Sequence, residues 1–224
     1  MKVLIVGAGA VSETFHIPSA INLFGVDNVF IADPSITQQN HIKKKFNLEN
    51  VFDEYTNSLS EVDFVILATP PHIRSEIFEK CIEKNIPVLC EKPAILYSKE
   101  GQGIIKQNKQ NNIIIGLCHT YRLFPNRLYA KKLIEEGYFG NNINIEISEG
   151  FPSDWPAVSG YNVRKDLVPG GVLMDAGIHS LDFLLWTLGD VSEFEYVDDG
   201  LGGLESNALV NLKFQNNSTA KFRI

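Results

Sequence analysis

The stretch KVLIVGAGAVS, residues 2–12, decides the architecture. A short apolar run meets Gly7-Ala8-Gly9 and passes at once into a helix-compatible segment, which is how a βαβ unit opens. The first glycine permits the tight turn. The second lets the backbone approach a pyrophosphate lying at the helix N-terminus. Ser12 stands where a third small residue is usual, so slightly looser helix–strand packing is expected there. Asp33 ends the next apolar run at close to the ~20-residue interval expected of the carboxylate that takes the ribose hydroxyls. An acid at that place repels a 2′-phosphate, so NAD is expected rather than NADP. An ordinary βαβ turn is the alternative for this segment.

Outward from it, apolar runs and helix-length segments alternate as far as residue 119. Residues 2–6, 29–32, 64–68, 88–90 and 113–116 read as short buried strands. Residues 11–24, 36–46, 73–84 and 99–108 are long enough to be the crossover helices between them. This alternation calls for a doubly wound parallel sheet with helices on both faces, an α/β Rossmann arrangement. In such a sheet ligands bind outside the carboxyl ends of the strands. The loops Ala68-Thr69-Pro70-Pro71-His72 and Cys90-Glu91-Lys92-Pro93 leave strands at that edge. Lys92, between a buried strand and a proline, is poorly placed for a merely solvated lysine, and Cys90 reads as core.

After residue 119 the pattern changes, so 1–119 and 120–224 are expected to be separate domains. Residues 125–137 read as a helix, 144–149 as a strand, and 154–169 as irregular. A helix follows Gly170-Gly171 and runs to about Leu188. Residues 194–197, 208–214 and 219–224 alternate as strands, with Asn216-Asn217 a hairpin signal. The second domain is expected to be α+β, with a mostly antiparallel, incomplete sheet. The last run, Lys221-Phe222-Arg223-Ile224, is expected to leave an edge or an exposed apolar face.

The segment PGGVLMDAGIHSLD, residues 169–182, places Asp175, His179 and Asp182 at i, i+4 and i+7. On a helix these share one face. A carboxylate beside an imidazole holds a proton donor or acceptor in one orientation. A solvated helix face is the plain alternative, and i, i+4 spacing also suits zinc. No third ligand cluster accompanies it, so no metal is expected.

The chain has 224 residues, 44% hydrophobic and 21% charged, with a net charge of −7. That balance argues against nucleic acid or an anionic membrane surface as the main partner. No apolar run approaches the ~20 residues needed to span a bilayer. Three widely spaced cysteines fit reduced core thiols in a cytoplasmic protein. His16, His41 and His119 read as helix-surface or packing residues.

GAGAVSETFHIPS, ATPPH, CEKP, YRLFPNRLYAKKLIEEGYFG and RKDLVPGGVLMDAGIHSLDFLLWTLGD occur in this order over residues 3–190. Together they resemble the glucose–fructose oxidoreductase/inositol dehydrogenase family, Gfo/Idh/MocA. The resemblance implies hydride transfer between nicotinamide and a secondary alcohol or ketone of a sugar, cyclitol or sugar nucleotide. It also implies a homo-oligomer formed through the second domain's sheet. It implies cofactor contacts from Gly7, Gly9, Ala10, Val11, Asp33, Pro34, Ala68, Thr69, Pro70, His72, Glu91 and Lys92. Lys92, Asp175 and His179 become the catalytic set. Tyr121, Arg122, Arg164, Asp175 and His179 become the substrate set. An unperturbed imidazole, titrating near ~6.5, suits the proton transfer assigned to His179. Trp155, Tyr161 and Arg164 are further candidates for meeting a sugar nucleotide. Arg74 stands where a second histidine often follows, a departure expected to touch only a peripheral contact. Family members are usually longer, so the resemblance implies that the last part of the chain is lacking. The rival readings are a truncated, catalytically silent NAD-binding or scaffold protein, and NAD-dependent glycoside cleavage.

Overall fold

The computed structural model describes residues 1–150 and 160–224. The chain divides into two units, one built on Met1–Cys118 together with a short later segment that ends at Tyr161, and the other on the rest of the chain from His119 onward.

In the first unit, β1 (Val3–Val6) is buried at every position. Val3 and Ile5 enter one apolar cluster while Leu4 and Val6 enter the other. A strand covered on both faces has no need to alternate, which is why this run is continuously apolar. β2 (Val29–Ala32), β3 (Val51–Phe52), β4 (Phe64–Leu67), β5 (Val88–Cys90) and β6 (Ile115–Leu117) join it in the order β3-β2-β1-β4-β5-β6. Every pairing is parallel. Ile17 and Ala20 of α1 (Ile17–Phe24) and Ile42 of α2 (Ile36–Phe46) cover one face. Phe78, Cys81 and Ile82 of α3 (Arg74–Glu83) and Ile104 of α4 (Ser98–Asn111) cover the other. Each large apolar side chain so buried contributes roughly 1.5–3 kcal/mol. The expected doubly wound sheet is therefore present, with one strand more than the sequence reading found. β3 has only two residues, too few to carry a periodic signal.

The chain winds outward from β1 to β3 and then crosses back to β4, so the strand order reverses between β1 and β4. Gly7 sits at that reversal with φ +98°. A Cβ on it would lie 2.8 Å from the Ala68 carbonyl oxygen. Only glycine tolerates both the left-handed turn and the backbone contact.

In the second unit, β7 (Asn144–Ser148), β8 (Val191–Asp198), β9 (Ala208–Phe214) and β10 (Thr219–Arg223) form a sheet in the order β7-β10-β9-β8. β9 pairs antiparallel with β8 and β10, while β7 joins β10 in parallel. The sheet is mostly antiparallel, as expected. The final strand, however, is interior rather than an edge: β10 pairs on both sides, and Ile224 exchanges backbone hydrogen bonds with Ala208. The edges are β7 and β8. Asn217, at φ +65°, makes the expected hairpin turn, closed by the Phe214 N–H donating to the Ser218 carbonyl. Leu184 and Leu188 of α6 (Ile178–Leu188) pack on Ala208, Val210, Phe214 and Phe222. A π-helical turn, Leu173–Gly177, leads into α6. α5 (Pro125–Glu135) lies beside α6.

Candidate active site

In the first unit the site is built at the carboxyl ends of β1, β2, β4 and β5. The Asp33 carboxylate accepts from the Ala8 N–H at 2.8 Å and from the Ser35 N–H at 2.9 Å. It is thereby pinned beside the Gly7–Gly9 turn. Gln38 donates to the Ala8 carbonyl at 2.6 Å, bracing the turn from α2. A Cβ at Gly9 would meet nothing within 4 Å, so the loop presents open space there. The Thr69 hydroxyl is buried with no hydrogen-bond partner among the described residues. An open backbone cradle, a fixed carboxylate and an unsatisfied hydroxyl fit a dinucleotide with phosphate and ribose groups to be met. Ala10 and Val11 are half-buried in the same turn, Ala68 and Pro70 are half-buried, and Pro34 and His72 are exposed.

Two expectations are corrected here. Ser12 does not loosen the packing. It is fully buried, and its hydroxyl donates to the Gly7 carbonyl, tying the turn to the helix. Arg74 is not peripheral either. It is 2% exposed, and its guanidinium donates to the carbonyls of Thr69, Glu91 and Pro93. It binds the Ala68–His72 loop to the Glu91–Pro93 loop.

His16 also departs from its expected packing role. Its Nε2 lies 2.9 Å from Glu91 Oε1, so the helical segment after the glycine turn holds the carboxylate beside Lys92. Burial would push that carboxyl up, but the His16 hydrogen bond and the charges of His16 and Lys92 outweigh it and hold Glu91 below its ordinary value. Cys118 completes a group with His16 and Glu91 whose donor atoms lie within 4.8 Å of one another, a cluster no sequence spacing announced. Burial pushes the Cys118 and Cys81 thiols up to about 12 and Cys90 to about 11. Such thiols are protonated at neutral pH and serve packing rather than nucleophilic attack. His41 does lie at a helix surface, with Nε2 2.8 Å from Glu13.

In the second unit, Asp175 lies in the π-helical turn and His179 in the first turn of α6, both half-buried. The Tyr121 ring stacks on His179, with centroids 4.6 Å apart and planes at 18°. His119 meets His179 edge-on at 6.2 Å and places Nδ1 3.7 Å from Asp182. Of its two expected roles, helix surface or packing, it takes the packing one, as a member of this cluster. Arg127 lies over the rings of Tyr121 and Phe183 at 5.4 and 4.6 Å. Glu149 holds Arg127 at 2.9 Å and accepts from the Ser180 hydroxyl at 2.7 Å. Arg122 grips Asp182 through two hydrogen bonds of 2.8 and 2.7 Å and lies over Trp186. That pairing makes Asp182 a structural partner and engages the Arg122 fork. Arg164 is exposed and pairs with Asp166 at 2.6 Å. Tyr161, which is grouped with the first unit, lies in a short 3-10 turn, and Trp155 lies outside the described residues.

Sequence reasoning missed what aims this helix. Glu205 accepts from the Gly171 N–H at 2.6 Å and the Leu173 N–H at 3.0 Å, and its carbonyl accepts from Val172. A buried carboxylate thus caps the helical segment that carries Asp175 and His179. Arg127 and Glu149 were missed too, since their partners come from distant segments.

Residues 1–119 match the family described as "Oxidoreductase family, NAD-binding Rossmann fold". Residues 128–224 match the "GFO/IDH/MocA C-terminal domain". Levoglucosan dehydrogenase of Pseudarthrobacter phenanthrenivorans is 27% identical over 155 residues, which is 66% of this chain and 39% of that protein. Myo-inositol 2-dehydrogenase of Thermotoga maritima is 24% identical over 228 residues, covering 96% of this chain and 65% of that protein. Among solved structures, an oxidoreductase from Thermotoga maritima superposes with a TM-score of 0.85 at 22% identity, covering all of this chain and 72% of its own. The WlbA dehydrogenase of Bordetella pertussis, solved with NADH and UDP-GlcNAcA, gives 0.85 at 19% identity and is covered to 66%. These likenesses show the fold. The chain spans about half the length of the first curated relatives it matches.

Proposed function

The chain belongs to the GFO/IDH/MocA family of oxidoreductases, and from that premise we propose that it transfers a hydride between NAD and a secondary alcohol or ketone of a sugar, cyclitol or sugar nucleotide. The observation that carries the reading is the His179 imidazole held against Tyr121 at the head of a capped helix, in a chain whose other unit offers a dinucleotide cradle. Bound NAD supplies the hydride acceptor. His179 takes the proton of the reacting hydroxyl in oxidation and returns it in reduction. Asp175, one turn earlier, orients that imidazole or binds a neighbouring hydroxyl. Lys92 polarises the reacting oxygen. Tyr121 fixes the plane of His179, and Arg122 and Arg164 complete the proposed substrate contacts. A homo-oligomer through the second sheet belongs to the same proposal, supported by the edge strand β8 with Phe194 and Val197 exposed.

The test is a panel of sugars, cyclitols and nucleotide sugars with NAD, followed by nicotinamide absorbance. Turnover of at least one member is expected. Silence across the panel, with NAD still bound, favours the scaffold alternative.

The cofactor preference has its own test. Asp33→Ser removes the carboxylate proposed to receive ribose hydroxyls. Hydrogen bonds to a charged group are worth roughly 1.5–3 kcal/mol, so NAD affinity is expected to fall by about tenfold or more. NADP affinity should rise as the repulsion disappears. Fluorescence titrations with NADH and NADPH measure both, and an unchanged ratio rejects Asp33 as the selector.

A further inference from the structure

Arg74 is a buried cation with no carboxylate in ion-pair range among the described residues. Its partners are main-chain oxygens. Nε and Nη2 both donate to the Thr69 carbonyl, and Nη1 donates to the carbonyls of Glu91 and Pro93. Nη1 also lies 3.7 Å from the Cys90 sulfur. The two carbonyls held by Nη1 belong to the residues on either side of Lys92 in sequence, Glu91 and Pro93. We propose that Arg74 is the positioning residue for Lys92, fixing the backbone on both sides of that lysine and tying it to the Thr69 loop. The proposal rests on the reading that Lys92 serves the reaction.

Two physical considerations support it over a role in stability alone. Burying a guanidinium without an anion is costly, and well-packed apolar side chains are often as stabilising as buried ionic groups. A residue needed only to fill this space has cheaper alternatives. The acceptors, moreover, come from two separate loops, at residue 69 and at residues 91 and 93. A planar fork with five donors reaches both loops from one fixed side chain. An ammonium, with its donors on one atom, does not. α3 starts at Arg74, so the clamp is anchored on a rigid element packed in the core.

Arg74→Lys keeps the charge and the contact nearest in sequence, with Thr69, but gives up the span to Glu91 and Pro93. Misplacing a catalytic group by about 1 Å can cost of the order of 10²-fold in rate, and a loss of that size in kcat is expected. NADH affinity by fluorescence should fall far less than kcat, because the contact with Thr69 and the glycine turn beside Asp33 are kept. Hydrogen exchange should accelerate at the Glu91, Lys92 and Ala94 amides while β4 keeps its protection. Wild-type kcat in Arg74→Lys overturns the proposal. So does a variant in which exchange rises everywhere and NADH affinity falls in step with turnover, which is the signature of a merely structural residue. Should Arg74→Lys fail to fold, Arg74→Gln, which keeps one donor pair, is read by the same measurements. If the unmodified protein turns over no substrate, the proposed activity fails on its own. The exchange and NADH measurements then decide Arg74: acceleration confined to residues 91–94 supports the clamp, and unchanged exchange there rejects it.

Discussion

Replacing His179 by alanine is expected to lower kcat by about 10²–10⁴-fold, the usual contribution of a positioned general acid or base. NADH affinity should remain within a few-fold, because the glycine turn, Asp33 and Thr69 that fit the cofactor belong to the first unit. The side chain is set by its surroundings. Tyr121 stacks on one side, and His119 approaches edge-on. Tyr121 is itself held by the Arg127 guanidinium, and Glu149 holds Arg127. Alanine removes the titratable group and also leaves a gap against Tyr121, so a second variant is needed. His179→Asn keeps a polar planar group of smaller size, loses the ability to shuttle a proton at neutral pH, and is expected to be about as inactive. Tyr121→Phe keeps the stack and is expected to retain most of the activity. Steady-state rates by nicotinamide absorbance and NADH fluorescence measure the series. An active His179→Asn would remove His179 from the proton-transfer role and leave it as a packing partner of Tyr121.

What was legible in the sequence was local. The run 88–90 and the helix 36–46 were placed at their observed limits because buried parallel strands and crossover helices announce themselves over a few residues. The glycine turn, Asp33 and the Asn216-Asn217 hairpin were legible for the same reason. Each is a short segment whose chemistry forces a backbone shape. The misses share an opposite cause. Ser12 looked like a defective third glycine, yet its hydroxyl finds the Gly7 carbonyl. Arg74 looked peripheral because its partners at residues 91 and 93 lie a whole helix and strand away. The interior place of β10 depends on strand order, which no run of residues encodes. Glu205 caps a helical segment from 34 residues downstream of Gly171. In the candidate site, the residues expected to do chemistry were therefore readable as motifs. The residues that hold them in place were not.

That division leads to the second large expected effect, at Gly171 rather than at any reactive group. An ideal Cβ on Gly171 would lie 2.2 Å from the Glu205 carbonyl oxygen and 2.7 Å from its nitrogen. Both are backbone atoms, so no side-chain rotation relieves the clash. Gly171→Ala must push the Glu205 segment away and with it the carboxylate that accepts from Gly171 and Leu173. The loss combines a helix cap, worth about 0.5–2 kcal/mol, with a buried carboxylate left without donors, at about 1–3 kcal/mol or more. A total near 3 kcal/mol corresponds to roughly 6–12 °C in Tm for a chain of this size. Turnover is expected to fall together with stability, since the helix start that aims Asp175 and His179 loses its anchor. NADH binding should persist. The neighbouring glycine supplies the control. The nearest neighbours of a Cβ on Gly170 would be the Met174 Cβ at 3.3 Å and that side chain's Cε and Sδ at 3.6 and 3.9 Å, a tight contact that a shift of a few tenths of an ångström relieves and in which no backbone atom comes as near. Gly170→Ala is therefore expected to cost under about 1 kcal/mol. Calorimetric unfolding of the two variants beside the unmodified protein measures the difference. Equal Tm values for Gly170→Ala and Gly171→Ala would show that the Glu205 segment yields without cost, and that the cap does not set the position of His179.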